Sequence, residues 1–364
     1  MSEASEGLSA NQAVTAVVVN HDGGEQVLHC IEALDRSTVP LHAILVVDND
    51  SRDGSRERIA RRFPEVEILA LTENAGPAPA RNAGLEHATT PLVLLVDDDV
   101  MPAPDCLEAL LRARAETGAE VVTPRVVLHP DRTLLQCDGA DAHFIGTMTL
   151  RGAYSPLSLA TAEKPHPVGA VISSCLLVER EAMLELGGFD PLYFLYLEDL
   201  EISIRLRSRG LDLCCAPEAV AYHDRGEGTA GLSFRSGAYP ARRAYLSHRN
   251  RWLTLLIHYR LRTLLLLTPP LAAYEVASLL FCVLRGHARE WLRSWAFLFG
   301  HAGEIRARRR RVQTLRVRSD AELLSGGALP LAPGTLISPF AAGAAAILSR
   351  TLDAWWIASK RWVG

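Results

Sequence analysis

Several common sequence signatures are absent from this chain. Its seven cysteines form neither a CxxC pair nor the Cys/His spacing of zinc sites, so they are predicted to be buried thiols in a reducing compartment. No GxGxxG motif follows the first apolar run and no GxxxxGK[ST] motif occurs, which argues against a dinucleotide-binding Rossmann domain and against a P-loop. There is also no low-complexity tract, and a content of 48% hydrophobic residues is sufficient for a buried core.

The N-terminus lacks the charged and apolar regions of a signal peptide. The chain begins with MSEASEGLSANQ, which is acidic and polar. We therefore expect the catalytic or ligand-binding part of the protein to stay in the cytoplasm.

Basic residues are scarce relative to acidic ones in the first part of the chain and abundant in the second. Residues 1–235 contain 19 Lys and Arg against 36 Asp and Glu, whereas residues 236–364 contain 19 against 6. A length of 364 residues also favours a large domain with an attached module over one small domain. We predict an α/β domain over 1–235 and a helical, basic module over 236–364.

The basic module contains a long apolar run, residues 252–284. This run is interrupted by Arg260, Arg262, Pro269, Pro270 and Glu275. A simple membrane-spanning helix is therefore not expected. We predict helices that lie on or re-enter an anionic membrane surface, and no nucleic-acid binding, because nucleic-acid-binding proteins rarely carry such apolar stretches beside their arginines.

Tryptophans and arginines of the same module are predicted to contact lipid. Trp252, Trp291 and Trp295 are expected at the level of the headgroups, and the arginine-rich segment 306–318 is expected to meet anionic lipid. Together these features predict a protein at the cytoplasmic face of the cell membrane. Helical packing against the rest of the protein, or a homodimer interface, is the alternative.

Apolar runs alternate with amphipathic segments at the start of the chain. Strands are predicted at 14–19, 43–48, 66–71 and 91–96, with helices between them. This alternation is typical of a doubly wound, mostly parallel sheet. Further along, the sequence predicts a strand in GAVISSCLLVERE, helices in AMLELGGFD and LEDLEISIRLRSRG, and two short strands in LDLCCAPEAVAYHD.

Acidic and amide side chains follow three of the predicted strands. They are Asn20, Asp22, Asp48, Asp50 and Asp97 to Asp99. Ligands of parallel sheets bind beyond the carboxyl ends of the strands. A cluster of carboxylates in that position is costly unless a cation neutralises it, so the sequence predicts a divalent metal ion, Mn²⁺ or Mg²⁺, at this edge.

Six segments between residues 13 and 230 together carry a family resemblance. They are VVVNHDGGEQVLHCIEAL, VVDNDSRDGS, NAGPAPARNAGL, DDDV, GGFDPLYFLYLEDLEISIRLRSRG and PEAVAYH. In this order they resemble the family 2 glycosyltransferases of the GT-A fold, and most closely the bacterial rhamnosyltransferase-like enzymes, which commonly act on lipid-linked or cell-envelope glycans. The resemblance implies an inverting, metal-dependent transfer of a sugar from a nucleoside diphosphate donor.

The resemblance assigns the acidic residues at the strand ends to the donor and its metal. Asp48 would accept the imide N–H of a pyrimidine base. Asp97 and Asp99 would form the DxD pair that binds the metal, and Asp98 would lie near the ribose or the sugar. His223 matches a histidine that completes the metal shell in many members, and imidazole suits Mn²⁺ better than Mg²⁺.

The loops that follow the strands are assigned to the donor as well. Asn20 and Asp22 are placed at the nucleotide sugar, although the family pattern has Tyr-Asn where this sequence has His21 and Asp22. Gly76 would permit close approach of the backbone to the nucleotide, and Arg81 would meet a phosphate. The glycine-rich stretch DRGEGTAG, residues 224–231, fits a lid over the donor.

The segment Leu-Glu-Asp-Leu, residues 197–200, is implied to supply the catalytic base. Asp199 matches the residue that takes the proton of the acceptor hydroxyl, with Glu198 beside it to orient the acceptor. The alternatives are a sugar nucleotidyltransferase and a membrane-bound scaffold with an inactive transferase domain. The first would need a basic, glycine-rich loop after the first strand, and NHDGGEQV contains no Lys or Arg.

Overall fold

The structure of the chain is a computed structural model that describes residues 13–224, 239–331 and 338–363. Most of the glycine-rich stretch that is predicted to form a lid, residues 224–231, lies outside these ranges. The polar N-terminus, residues 1–12, lies outside them as well.

The strands predicted in the first part of the chain are present, with bounds close to those expected. The third, for example, spans four residues inside the predicted range. The strands are β1 Val14–Asn20, β2 Ala43–Asp48, β3 Glu67–Ala70, β4 Leu92–Asp97, β5 Val100–Pro102, β6 Val121–His129, β7 Leu135–Cys137, β8 Ala140–His143, β9 Thr147–Leu150, β10 His166–Pro167, β11 Cys175–Glu179 and β12 Leu213–Asp224.

Helices separate the early strands and then account for nearly all regular structure after β12. They are α1 Gln26–Asp35, α2 Ser55–Arg62, α3 Pro77–His87, α4 Cys106–Thr117, α5 Arg180–Glu185, α6 Glu198–Ser208, α7 Ala241–His258, α8 Leu261–Leu266, α9 Thr268–Leu284, α10 Ala288–Gly300, α11 Ala302–Thr314, α12 Asp320–Leu323 and α13 Pro339–Ser359. The predicted α/β part followed by a helical part is confirmed.

The main sheet is mixed but mostly parallel where the predicted repeats lie. Its order is β10-β12-β6-β11-β4-β1-β2-β3, with β5 beside β12 and β7 beside β6. β4, β1, β2 and β3 are parallel neighbours, and β11 is antiparallel to both β4 and β6. Because β6 and β12 are parallel to each other and run in the direction of β4, the carboxyl ends of β1, β2, β4 and β12 meet at one edge.

Both faces of the sheet are covered, which explains why the strands are continuous apolar runs. In β1, Val14, Ala16 and Val18 pack on the side of α1 and α4. Val17 and Val19 pack on the opposite side with residues of α3. The open edge left at the carboxyl ends is therefore where polar residues can gather.

One prediction about the strands is wrong. LDLCCAPEAVAYHD forms the single strand β12 instead of two short strands, and its register with β6 shifts between Ala216 and Val220. The segment Ala-Pro-Glu is irregular because proline cannot donate to a ladder. A shift in register accommodates it without ending the strand, so β12 carries His223 to the open edge.

The arginine-rich segment is largely turned towards the protein. Arg309 donates to the carbonyls of Leu256 and Tyr259 at 2.7 Å, and Arg308 is paired with Asp190. Unpaired carbonyls at a helix end need such donors, and this segment supplies them to the end of α7. The prediction that all of residues 306–318 face lipid is therefore wrong, although Arg306, Arg310 and Arg311 are exposed.

The three tryptophans expected at lipid headgroups are packed inside the helical part. The Trp252 and Trp291 indoles donate to Glu275 at 2.9 and 2.8 Å. Trp295 stacks at an angle on Trp252, with ring centroids 4.9 Å apart. The three tryptophans are half-buried, and the half-buried Glu275 provides an acceptor for two indole N–H groups, which sequence alone did not reveal. Their position at lipid headgroups stays a prediction. In the described ranges, no helix combines the length and apolarity needed to cross a membrane.

A buried ion pair links the α/β part to the helical part. Glu201 of α6 accepts from Arg205 Nε at 2.7 Å, and His258 Nε2 of α7 lies 3.2 Å from the same carboxylate. Burial would raise the pKa of Glu201, but Arg205 and His258 outweigh it and lower the pKa to about 2. The charged form is therefore strongly preferred in the folded protein.

We predict that Glu201→Gln lowers the free energy of unfolding by about 3–5 kcal/mol, because it leaves Arg205 buried without its counter-charge. In the parent protein, this stabilisation should be fully present above a pH of about 4.3, the pKa of glutamate in the unfolded chain. It should be lost as the pH falls towards about 2, the pKa of Glu201 in the folded protein. Urea denaturation at pH 7 measures the change. Glu185→Gln, at an exposed position of α5, is the control, and an equal loss in both variants would contradict the role of the ion pair.

Candidate active site

A cavity of about 1040 Å³ opens at the edge where the strands end. The loops after β1, β2 and β4 form one wall, and the segment before α6 forms the floor. Helices α7, α9 and α13 form the opposite wall. Acidic residues thus lie on one side of the cavity, and arginines and apolar residues lie on the other.

Asp97 ends β4 and is paired with a buried arginine. Arg81 Nη2 donates to Asp97 Oδ1 at 2.6 Å, and Arg81 Nη1 lies 3.9 Å from Glu198. Burial would lower the pKa of Arg81, but Asp97, Asp199 and Glu198 raise it, so the guanidinium is charged. Arg81 lines the cavity but is directed at carboxylates instead of the phosphate that the sequence predicts.

Asp98 lies between the loop after β1 and the rest of the acidic cluster. Its Oδ2 accepts the backbone N–H of His21 at 2.9 Å. Removal from water and the neighbouring Asp99 raise the pKa of Asp98 well above its usual range, while the bond from His21 opposes this change. Asp98 therefore resists ionisation in the absence of added positive charge.

Asp99 and His223 come together from two different strands. His223 Nε2 lies 3.2 Å from Asp99 Oδ1, and its Nδ1 is buried without a hydrogen-bond partner among the described residues. Oxygen and imidazole donors fit Mn²⁺ or Mg²⁺. Asp97 is paired with Arg81. In the described part of the chain, no three His, Cys, Asp or Glu side chains lie close enough together to form a metal site. The geometry thus supports a two-residue site that needs ligands from outside the chain.

Glu198 and Asp199 begin α6 and both line the cavity. Burial and the neighbouring Asp199 raise the pKa of Glu198 to about 8, against the effect of Arg81. Burial also raises the pKa of Asp199, but Arg81 and the hydroxyl of Ser173, which donates to Asp199 Oδ1, oppose the change. Glu198 is therefore favoured in its protonated form near neutral pH, whereas Asp199 has two groups beside it that stabilise its charged form.

The loop before α6 is held in place by α7. Asn250 Nδ2 donates to the carbonyls of Tyr193, Leu195 and Tyr196 at 2.8, 2.9 and 2.6 Å. Arg249 adds bonds to the same loop. These bonds stabilise left-handed backbone conformations, which are unfavourable for bulky residues. They occur at Phe194, Tyr196 and Leu197.

Gly76 is required by this loop and not only by a ligand. It has a φ of +95°, and a Cβ there would lie 2.6 Å from the carbonyl oxygen of Phe194. The sequence predicts that Gly76 allows the backbone to approach the nucleotide closely. Gly76 does line the cavity, but the backbone that it approaches is that of Phe194.

Asn20 and Asp48 lie beneath the cavity and do not line it. Both are fully buried, and Asn20 Nδ2 donates to Asp48 Oδ1 at 2.8 Å. Asp48 also accepts the N–H of Ser51 at 3.3 Å. The structure therefore differs from the predicted contact with the nucleotide, because these side chains are used to hold the loops after β1 and β2. Asp22 does line the cavity.

Sequence reasoning missed several polar residues of the cavity wall. Asn74 Nδ2 donates to His21 Nε2 at 2.8 Å, and the His21 Nδ1–H then donates to the Asn49 carbonyl at 2.9 Å. Ser173, which binds Asp199, was also missed. His21, Asn49 and Asn74 lie inside segments that carry the resemblance, and Ser173 lies in the predicted strand GAVISSCLLVERE, but nothing in the residue types alone indicated that they converge.

Comparisons with known proteins agree with this geometry. Residues 15–187 match the model of glycosyl transferase family 2. Over 260 residues the chain is 25% identical to the N-acetylglucosaminyl-diphospho-decaprenol L-rhamnosyltransferase of Mycobacterium tuberculosis, a match that covers 66% of this chain and 82% of the relative.

Two solved structures share the fold. GalNAc-T7, solved with UDP, GalNAc and Mn²⁺, gives a TM-score of 0.52 at 18% identity, covering 67% of this chain and 48% of that chain. Residues 1–349 of S. aureus TarS, solved with UDP-GlcNAc, give a TM-score of 0.51 at 14% identity, covering 95% and 92%. The predicted GT-A fold is thereby confirmed. Residues 15–187 therefore form a glycosyl transferase family 2 domain, and the two solved structures show the fold that contains it.

Proposed function

We propose that this protein transfers a sugar from a nucleoside diphosphate donor to an acceptor hydroxyl with inversion at the anomeric carbon. The observation that carries the proposal is the placement of Asp97, Asp98, Asp99 and Asp199 around one cavity at the edge of the sheet. The donor occupies the side of the cavity formed by the loops after β1, β2 and β4.

The donor side combines hydrogen-bonding groups with excess negative charge. His21, Asp22, Asn49 and Asn74 line the wall and offer both donors and acceptors to a base and ribose. Asp99 and His223 would hold Mn²⁺ or Mg²⁺. Asp97 lies in the same cavity and is paired with Arg81. When bound, the metal neutralises the diphosphate as it leaves. Two solved structures of the same fold contain UDP or UDP-GlcNAc, which supports this class of donor.

Asp199 acts as the general base. Its carboxylate takes the proton of the acceptor hydroxyl while that oxygen forms a bond to the anomeric carbon and the bond from this carbon to the diphosphate breaks. Attack from the face opposite the leaving group inverts the anomeric configuration. Ser173 donates to Asp199 and orients its carboxylate, and both Ser173 and Arg81 favour the charged form of Asp199. Glu198, whose pKa is raised to about 8, can donate to the acceptor in its protonated form.

A lipid-linked glycan is the proposed acceptor, with rhamnose as the leading candidate for the sugar. The relative from Mycobacterium tuberculosis is named as a rhamnosyltransferase of a diphosphate-linked lipid. A sugar nucleotidyltransferase is less well supported, because residues 21–26, HDGGEQ, contain no Lys or Arg. The ordered carboxylates of the cavity also favour an enzyme over an inactive scaffold.

The helical part is proposed to bind the cytoplasmic face of the membrane. Of the large hydrophobic side chains that are exposed, all but Leu159 lie after residue 260. Apolar patches of this extent are typical of membrane or protein contacts. The proposed boundary at residue 235 separates the two parts in charge, but α7 supports the active site through Asn250 and belongs to the catalytic unit as well.

We predict that Asp199→Asn lowers kcat by about 100-fold or more, because the amide keeps the shape and cannot take a proton. Binding of the donor should persist. In the parent, kcat should fall as the pH drops through a pKa above the usual value of about 3.9, and the variant should lose this limb. Transfer assays across pH 4–8 with donor binding measured in parallel provide the check.

Two further variants give this test its controls. Asp35→Asn, at an exposed position of α1, should retain the activity of the parent. Glu198→Gln should lower kcat less than Asp199→Asn does. If Glu198→Gln has the larger effect, or if Asp199→Asn loses donor affinity instead of turnover, Asp199 is not the base.

We also predict that the full chain cosediments with vesicles of phosphatidylglycerol and phosphatidylcholine. Leu284→Glu should reduce binding about tenfold, since Leu284 is 85% exposed and burial of a leucine contributes roughly 1.5–3 kcal/mol. Leu159→Glu is the matched control, because Leu159 is 68% exposed but lies in the α/β part. A chain that stays in the supernatant at low salt, or an equal effect of both variants, would count against membrane binding.

A further inference from the structure

The cavity continues past Asp199 into the helical part, where its character changes. Arg242, Arg243, His248 and Arg251 of α7 line this side. The strand-end side is acidic, so an anion placed there needs a cation with it. The helical side offers positive charge from the chain itself, and it is therefore suited to a second anionic group.

Two buried side chains on this side have unused nitrogen atoms. Arg251 is 3% exposed and His248 is 4% exposed, and both line the cavity. Among the described residues, Arg251 Nη2 and His248 Nδ1 have no hydrogen-bond partner. Buried polar atoms without partners are costly. Arg251 Nη2 can only donate, and His248 Nδ1 donates when the imidazole is protonated, so a ligand that supplies acceptors would satisfy both atoms.

Glu275 fixes the orientation of both residues. His248 Nε2 lies 2.5 Å from Glu275 Oε1, and Arg251 Nη1 donates to Glu275 Oε2 at 3.0 Å. Arg251 Nε donates to the carbonyl of Ile145 at 2.7 Å. The other nitrogen of the His248 imidazole and the other two nitrogens of the Arg251 guanidinium are thus bound by the protein. Only Arg251 Nη2 and His248 Nδ1 of these two side chains remain without a partner among the described residues. This is a preorganised anion site and not a mobile surface arginine.

An apolar channel adjoins these residues. Ala277, Phe281 and Cys282 of α9 and Ala345 and Leu348 of α13 line the same cavity. Among the described residues after 260, these two helices also carry eight of the sixteen large hydrophobic side chains that are exposed. A hydrocarbon chain that starts at the anion site can therefore follow α9 and α13 towards the apolar surface.

We propose that Arg251 and His248 bind the phosphate group of a lipid-linked acceptor, with its hydrocarbon chain between α9 and α13. The inference rests on the proposed function in taking this ligand to be the acceptor. Such a molecule would extend its sugar hydroxyl towards Asp199 while its phosphate stays away from the acidic wall. The acceptor would thus be recognised by residues of the helical part and the donor by the sheet.

The test uses geranylgeranyl diphosphate as a probe of the full chain in detergent with EDTA, so that no metal can recruit the probe to the acidic side. Intrinsic fluorescence reports binding, because Arg251 lies 5.3 Å from the Trp252 ring and His248 contacts Trp291. Arg251→Gln and His248→Gln should each weaken binding about tenfold or more, the effect of losing a charge-assisted hydrogen bond. Arg289→Gln, at an exposed position of α10, should not.

Two other ligands separate the phosphate from the lipid. Geranylgeraniol, which lacks the diphosphate, should bind at least about tenfold more weakly than the probe. Inorganic pyrophosphate should displace the probe only at much higher concentration. Equal affinity of the alcohol would overturn the anion site, and equal affinity of pyrophosphate would show that the occupant is a free phosphate.

Further variants keep the result interpretable. If Arg251→Gln does not fold, Ser278→Trp, which fills the cavity beside α9 and leaves the buried network intact, should abolish probe binding. Unchanged binding in either folded variant would overturn the proposal. UDP binding with Mn²⁺ is measured separately and should be unaffected by Arg251→Gln, so a failure of the donor site is distinguished from a failure of this one.

Discussion

The convergence of carboxylates at one edge of the sheet is the constraint on which the rest of the structure depends. Parallel strands bring their carboxyl ends together, and Asp97, Asp98 and Asp99 meet Glu198 and Asp199 there. Arg81, buried among them, compensates part of this charge. Burial and the remaining repulsion raise the pKa values of Asp98 and Glu198, which means that the folded site favours added positive charge. A metal-bound diphosphate would supply it.

The helical part is more than an attachment to the α/β part. Its first helix, α7, fixes the strained loop before Asp199 through Asn250, and it pairs His258 with the buried Glu201 of α6. The basic segment in turn provides the donors that complete the end of α7. The position of Asp199, the proposed base, is therefore determined by residues on both sides of the change in charge near residue 235, and binding of the proposed acceptor near α7 would act on the same loop.

The sequence predicts the sheet well because a continuous apolar run indicates a strand that is buried on both faces. The strands β1, β2 and β4 are of this kind. The structure also brings Asp97, Asp99, Asp199 and His223 to one cavity, as strand ends and the order of motifs predict, and their chemical roles are proposals. The sequence does not predict whether a polar or aromatic side chain contacts a ligand or another part of the protein. Asn20 and Asp48 are turned inward to hold loops, and Trp252 is turned towards Glu275. Such choices depend on partners distant in the chain.

Calorimetric titration of UDP and dTDP into the full chain tests the central claim, that the acidic edge binds its ligand only with a cation. At least one nucleotide should bind with Mn²⁺ present and bind at least about tenfold more weakly in EDTA. Asp99→Asn should weaken the Mn²⁺-dependent binding by a similar factor, since even loss of an outer partner of a metal ligand costs roughly tenfold. Equal affinity in EDTA, or an unchanged affinity in Asp99→Asn, would contradict the account.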